Sequence, residues 1–122
     1  MKFATVGTNV FISEKASIYN SGNIRLGNNV RIDDFCIVSA GEDGIEIGNN
    51  VHIACYVSLI GKSKIKLGNY VGVSSKTAIY SSSDDYSGDF LTGPTVDDKF
   101  RNIDNRPVIL EDHVIIGAQC VV

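Results

Sequence analysis

The chain has 122 residues, 43% of them hydrophobic and 20% charged, with a formal net charge of −3. That describes one ordinary domain with too little excess charge to argue for nucleic acid or an anionic membrane as partner. No apolar run reaches the ~18 residues of a membrane span and the N-terminus has no apolar signal core, so a cytoplasmic location is expected.

Ile and Val together number 28 against five Leu and one Met. This balance favours strands, because β-branched side chains suit a pleated surface and lose rotamer freedom in helices. Taken in chain order, the predicted strands form an internal repeat. Val6-Gly7-Thr8-Asn9-Val10 opens a first coil and Leu26-Gly27-Asn28-Asn29-Val30 a second. Ile47-Gly48-Asn49-Asn50-Val51 and Leu67-Gly68-Asn69-Tyr70-Val71 open the third and fourth, and Leu110-Glu111-Asp112-His113-Val114 the fifth. Six residues after each start stands another aliphatic, Ile12, Ile32, Ile53, Val73 and Ile116, and six further on stand Ile18, Val38, Leu59, Ile79 and Val122. Each repeat is three hexapeptides followed by an extra piece of two, three, two and then 25 residues.

The fifth place of most hexapeptides is small or β-branched, as at Val10, Ala16, Cys36, Val57, Thr77 and Cys120. A large aliphatic and a small partner every six residues can fill a narrow three-sided coil, with Gly and Asn at corners where other residues resist the backbone conformation. Each hexapeptide then pairs with its equivalent one coil along, at ~4.8 Å per rung. No segment carries a 3.6-residue amphipathic pattern. A β-sandwich of short strands would give no reason for insertions that all fall at one corner.

On these repeats, from Val6 to Val122, the sequence resembles the hexapeptide-repeat acyltransferases. That resemblance implies an all-β fold, a left-handed parallel β-helix of about five coils with one long loop excursion, occupying residues 1–122 as a single domain. The excursion, at residues 81–106, and the return through Pro107-Val108-Ile109-Leu110 look most like the sugar O-acetyltransferases of the galactoside and maltose type and their relatives in surface-polysaccharide synthesis. Members of the family continue through further coils, and a solenoid end needs a cap. Leu110, Val114, Ile116, Cys120 and Val122 would form an uncovered apolar end, so a shortened product or end-to-end self-association is expected.

Loops as long as the excursion are usually functional or disordered. Tyr86, Phe90, Leu91 and Phe100 give it something to pack; Asp84, Asp85, Asp89, Lys99 and Arg101 supply polar contacts. The mixture suits a sugar, and equally a flap packed on a neighbouring subunit. In the galactoside and maltose enzymes a His in this excursion is the general base. Counted from Ile79, its position falls on or next to Asp84, and the excursion contains no His. A carboxylate is a poorer base than imidazole near neutrality unless its surroundings raise its pKa. An amino-sugar acceptor lowers the demand, because a neutral amine attacks a thioester before losing its proton.

Two histidines occur, His52 on the outer surface near Arg31 and Gly72, and His113 in the corner column of Asn9, Asn29, Asn50 and Tyr70. His113 titrates near neutrality and lies six residues past Pro107, so it stands beside Asp84 as a candidate base. Two histidines in different columns argue against a zinc site. Cys36, Cys55 and Cys120 read as reduced structural thiols; Cys36 and Cys120 sit three rungs apart, on the order of 14 Å, which excludes a bond between them.

The resemblance implies acetyl-CoA as acyl donor, in a groove between subunits of a homotrimer, with Gly117 and Ala118 at the start of its contact stretch. It implies a sugar or nucleotide-sugar acceptor; Asp85, Tyr86 and Tyr80 are the candidate contacts for it, and no metal is expected. The expected activity is acetyl transfer to a sugar hydroxyl or amine. The competing reading is a non-catalytic β-helical scaffold whose excursion mediates assembly.

Overall fold

The computed structural model describes residues 2–122. Sixteen strands of two to four residues and two short 3-10 turns make up its regular structure. Three parallel sheets form the faces of a three-sided helix. The first face stacks Thr5–Val6, Ile24–Leu26, Ile45–Ile47, Ile65–Leu67 and Val108–Leu110. The second stacks Phe11–Ile12, Val30–Ile32, Val51–Ile53, Gly72–Val73 and Ile115–Ile116. The third stacks Ser17–Tyr19, Ile37–Ala40, Ser58–Gly61 and Ala78–Tyr80, and Val121 bridges to Ala78 above them. There are therefore four complete turns and a fifth that supplies two faces and a single bridging residue.

The repeat positions lie in register. Leu26 pairs with Ile47, Ile47 with Leu67 and Leu67 with Leu110. The inward column is buried throughout the middle turns: Ile24, Ile32, Ile53, Leu59, Ile65, Leu67 and Ile79 are each at most 1% exposed. Fully burying one such side chain contributes roughly 1.5–3 kcal/mol. Thr77 is the polar member of the inner small-residue column, and it is satisfied: its hydroxyl donates to the Gly117 carbonyl at 2.9 Å and accepts from the Cys120 amide at 3.3 Å.

The Gly-Asn motif has two physical causes. At its third place, the side-chain oxygens of Asn28, Asn49, Asn69 and Asp112 accept from the backbone N–H of Thr8, Asn28, Asn49 and Asn69 in the preceding coil, each at 2.7–2.8 Å. At its second place the coils touch: a Cβ added to Gly48 would lie 2.6 Å from Asn69 Oδ1 and 2.8 Å from the Gly68 carbonyl carbon. Asn9, Asn29, Asn50, Tyr70 and His113 then turn the corner with φ between 56° and 64°, the left-handed region that Asn enters most readily among side-chain-bearing residues. Tyr70 and His113 offset that cost in part by stacking, with ring centroids 5.1 Å apart and planes 7° from parallel.

Among the described residues no helix is long and apolar enough to cross a membrane.

Candidate functional site

The excursion leaves the helix at the corner between the third and first faces, where all the extra residues of the repeats fall. Its root is fastened by buried Ser81, whose hydroxyl donates to the Ser63 carbonyl at 2.7 Å and whose carbonyl accepts from the Arg106 amide at 3.0 Å. The sequence pattern gave no secondary structure here. The chain in fact runs out and back as an antiparallel pair, Ser82–Asp84 with Ile103–Asn105. Ser-Ser-Asp carries little strand propensity; the pairing is imposed by the fixed root and by contacts further out.

Those contacts centre on Asp84. Its Oδ1 accepts from Arg101 Nη2 at 3.2 Å and Nε at 3.4 Å, and its Oδ2 accepts from the Gly93 amide at 3.1 Å. Arg101 also reaches Asp98 at 3.5 Å. An ionised carboxylate offers about four lone-pair sites. Three donors leave Oδ2 with one free, and Asp84 lines a cleft of about 490 Å³ with Lys62, Tyr80, Tyr86, Pro94 and Arg101. Asp85 turns the other way. Hydrogen bonds from Ser87 and then from Asn102 hold its carboxyl below the usual range, and it borders a neighbouring concavity with Tyr86, Asn102 and Arg106.

Asp84, Tyr80 and Tyr86 thus share one cleft, and Asp85 stands at its margin. His113 does not join them: it is exposed at the corner between the first and second faces, so the six residues from Pro107 span one whole side of the triangle. Gly117 and Ala118 are exposed at the remaining corner, between the second and third faces. A Cβ built on Gly117 meets nothing within 4 Å. The residues assigned to acceptor, second base and donor occupy three different corners of one chain.

His52 lies where its hexapeptide place put it, paired in register with Arg31 and Gly72. Its Nε2 is 2.7 Å from Asp33 Oδ2, while Arg31 Nε donates to Asp33 Oδ1 at 2.7 Å. Partial burial pushes Asp33 up, but the hydrogen bonds from Arg31 and His52 and their charges outweigh it, so its pKa lies below the ordinary value. The three cysteines are free, and burial raises the Cys36 thiol. Among the described residues no group of three or more His, Cys, Asp or Glu is placed to hold a metal ion. Sequence reasoning missed Lys62, which sits in the third hexapeptide of its repeat, at the corner between the strands Ser58–Gly61 and Ile65–Leu67. Its place at the corner that later carries the excursion was the available signal.

No family model matches the sequence. A search of curated proteins finds the dTDP-4-amino-4,6-dideoxy-D-glucose acyltransferase of Escherichia coli, 50% identical over all 122 residues. The chain spans 64% of that protein's length. Among solved structures, the chain matches AntD, an N-acyltransferase from Bacillus cereus, in complex with dTDP and 3-hydroxybutyryl-CoA. That match has a TM-score of 0.92 and 48% identity, over 98% of this chain and 62% of AntD. A serine-to-alanine variant of AntD, in complex with dTDP-4-amino-4,6-dideoxyglucose and coenzyme A, matches with a TM-score of 0.93 at 48% identity, over 98% of this chain and 63% of the variant.

Proposed function

We propose, because the chain belongs to the hexapeptide-repeat acyltransferase family, that it works as a sugar N-acyltransferase: it moves a short acyl group from a coenzyme A thioester to the 4-amino group of a dTDP-4-amino-4,6-dideoxyhexose. The observation that carries this reading is the 50% identity to the Escherichia coli relative over a match that covers all 122 residues and so extends through the excursion. The absence of a histidine from the excursion fits an amine acceptor, as the residue chemistry requires.

In this reading the amine nitrogen attacks the thioester carbonyl carbon, the C–S bond breaks as the tetrahedral intermediate collapses, and coenzyme A leaves as its thiol. The proton that the nitrogen loses passes to Asp84 and from it to the departing sulfur. Asp84, which lines the cleft and whose Oδ2 has a single donor, accepts the hydrogen bond from the amine and orients it; Arg101 keeps the other oxygen fixed. Asp85, whose carboxyl is held below its ordinary pKa by the hydrogen bonds from Ser87 and Asn102, serves as a substrate contact with Tyr80 and Tyr86. His113 is left as a corner residue stacked on Tyr70. Gly117 and Ala118 leave an open surface for the pantetheine arm. Acetyl and 3-hydroxybutyryl thioesters are the donors to test first.

Because donor and acceptor residues occupy different corners, the complete site needs a second copy of the chain, whose Gly117 corner meets this chain's excursion. A cyclic homotrimer closes such a contact. A coenzyme A thioester and a nucleotide sugar as substrates fit a reaction in the cytoplasm, upstream of surface-polysaccharide assembly.

The test compares dTDP-4-amino-4,6-dideoxyglucose with its 4-hydroxy counterpart, for the 122-residue chain alone and joined to the part of the Escherichia coli relative outside the match. Acylated product from the amine only supports the reading. Equal acylation of the hydroxyl compound overturns the N-transfer assignment, and no product from either form with either donor overturns the enzyme in favour of a scaffold.

A further inference from the structure

The cations around the excursion differ in how they are spent. Arg101 is held between Asp84 and Asp98, Arg106 lies 3.1 Å from Asp104, and Lys64 lies 3.0 Å from Glu46. Lys62 is exposed and, among the described residues, forms no ion pair. It lines the 490 Å³ cleft together with Tyr80 and Asp84, and it also lines a second groove of about 670 Å³ with Asn20, Asn23, Glu42 and Asp43. Ser82 is the other residue common to both.

The backbone that presents Lys62 is tightly seated. A Cβ on Gly41, one coil below, would fall 2.4 Å from the Lys62 Cα, and one on Gly61 would fall 2.7 Å from the Ser81 amide nitrogen. Gly61 itself has φ +151°. Ser63 is buried and its carbonyl is held by the Ser81 hydroxyl. A long cationic side chain is thus set on a rigid corner, paired with no carboxylate among the described residues although Glu42, Asp43 and Asp84 line the same two concavities, at the junction of the cleft and the groove. A lysine ammonium is a compact point charge with three donors, suited to phosphate oxygens.

We propose that Lys62, with the Ser82 hydroxyl beside it, is the diphosphate-binding group of the acceptor site and sets the preference for a nucleotide-linked sugar over a free one. This rests on the nucleotide-sugar reading above and adds the residue that enforces it. The diphosphate sits on Lys62, leaving the ring of Tyr80 or Tyr86 for the base and Asp84 for the sugar amine. Arg101, bound on two sides by carboxylates, keeps the excursion in place and is not available to the phosphates.

The experiment measures calorimetric binding of dTDP and of thymidine to the wild-type chain, Lys62→Ala, Lys62→Arg and Ser82→Ala, at two salt concentrations. Lys62 is exposed, so its substitution leaves the core intact, and unchanged melting of each variant confirms this. The expected result is a loss of about tenfold in dTDP affinity for Lys62→Ala, equivalent to about 1.4 kcal/mol, with partial rescue by Lys62→Arg and a smaller loss for Ser82→Ala. The salt dependence of dTDP binding should flatten in Lys62→Ala, and thymidine binding should not change. If wild type and Lys62→Ala bind dTDP equally, the assignment of Lys62 is overturned while the nucleotide-sugar reading stands. If the wild type fails to bind dTDP but acylates a free 4-amino sugar, the nucleotide-sugar reading falls and takes this one with it. Failure both to bind dTDP and to acylate a free sugar overturns both.

Discussion

Arg101 reaches back over the excursion to Asp84, with Nη2 3.2 Å from Oδ1 and the two side chains only 12% and 16% exposed. This pair closes the 25-residue insertion on itself, so that a segment with few apolar residues keeps a defined shape beside the helix. Segments with little buried apolar surface open locally at lower cost than the core. Replacing Arg101 by Met should therefore loosen the excursion without melting the β-helix. Limited proteolysis should become several-fold faster between residues 85 and 100, acyl transfer should fall at least tenfold, and the melting temperature should shift little. Unchanged proteolysis would show that the pair does not hold the excursion.

Asp84→Asn keeps the shape of the side chain and removes its basicity. A positioned general base contributes typically 10²–10⁴-fold, so kcat should drop by about two orders of magnitude with the KM for the acyl-CoA donor unchanged. His113→Ala should leave kcat within about twofold, the expectation for a corner residue that acts only through its stack on Tyr70. The reverse ranking in steady-state assays would move the base to His113.

The Gly-Asn motif was legible in the sequence because its cause is repeated at every coil: the same close approach and the same amide ladder recur, so periodicity reveals them. The excursion was not. Asp84 and Arg101 are 17 residues apart and occur once, and nothing in a Ser-Ser-Asp run announces that it will pair with Ile103–Asn105. His113 was placed in its corner column correctly, but nearness to Pro107 along the chain suggested nearness to the excursion. A strand of the first face intervenes and carries it to the next corner.

Two glycines separate close approach from mere smallness. Gly48→Ala forces Cβ against Asn69 Oδ1 and the Gly68 backbone, an overpacking that costs about 1–3 kcal/mol. Gly72→Ala meets nothing within 4 Å and should be neutral or stabilising by up to about 1 kcal/mol through the unfolded chain. Thermal or urea unfolding of the two variants checks this. Equal destabilisation would contradict the coil-contact account of the motif.

The lowered pKa of Asp33 predicts the sign of an acid effect. A carboxyl whose folded pKa lies below its unfolded value adds stability that is complete above the unfolded pKa, ~3.9, and is lost as pH falls through the folded one. Asp33→Asn should therefore lower stability at pH 7, by no more than about 1 kcal/mol for a surface network, and the deficit should vanish at the acid end. A deficit that persists below pH 3 in urea titrations would assign it to packing rather than charge.

If the site is shared between copies, defects on different chains should complement. Asp84→Asn chains and Gly117→Trp chains are each expected to be inactive alone. Co-expressed in equal amounts in a closed ring, roughly a quarter of the contacts pair an intact excursion with an intact Gly117 corner. Recovery of about that fraction of wild-type activity would place both residues in one shared site; no recovery would return the donor groove to a single chain.

The most direct test of the central claim is release of coenzyme A thiol, followed spectrophotometrically, when the chain joined to the unmatched part of its Escherichia coli relative meets acyl-CoA and dTDP-4-amino-4,6-dideoxyglucose. We predict thiol release that depends on the sugar amine and falls about a hundredfold in the Asp84→Asn variant. Thiol release that is indifferent to the amino sugar, or none at all, would contradict the account.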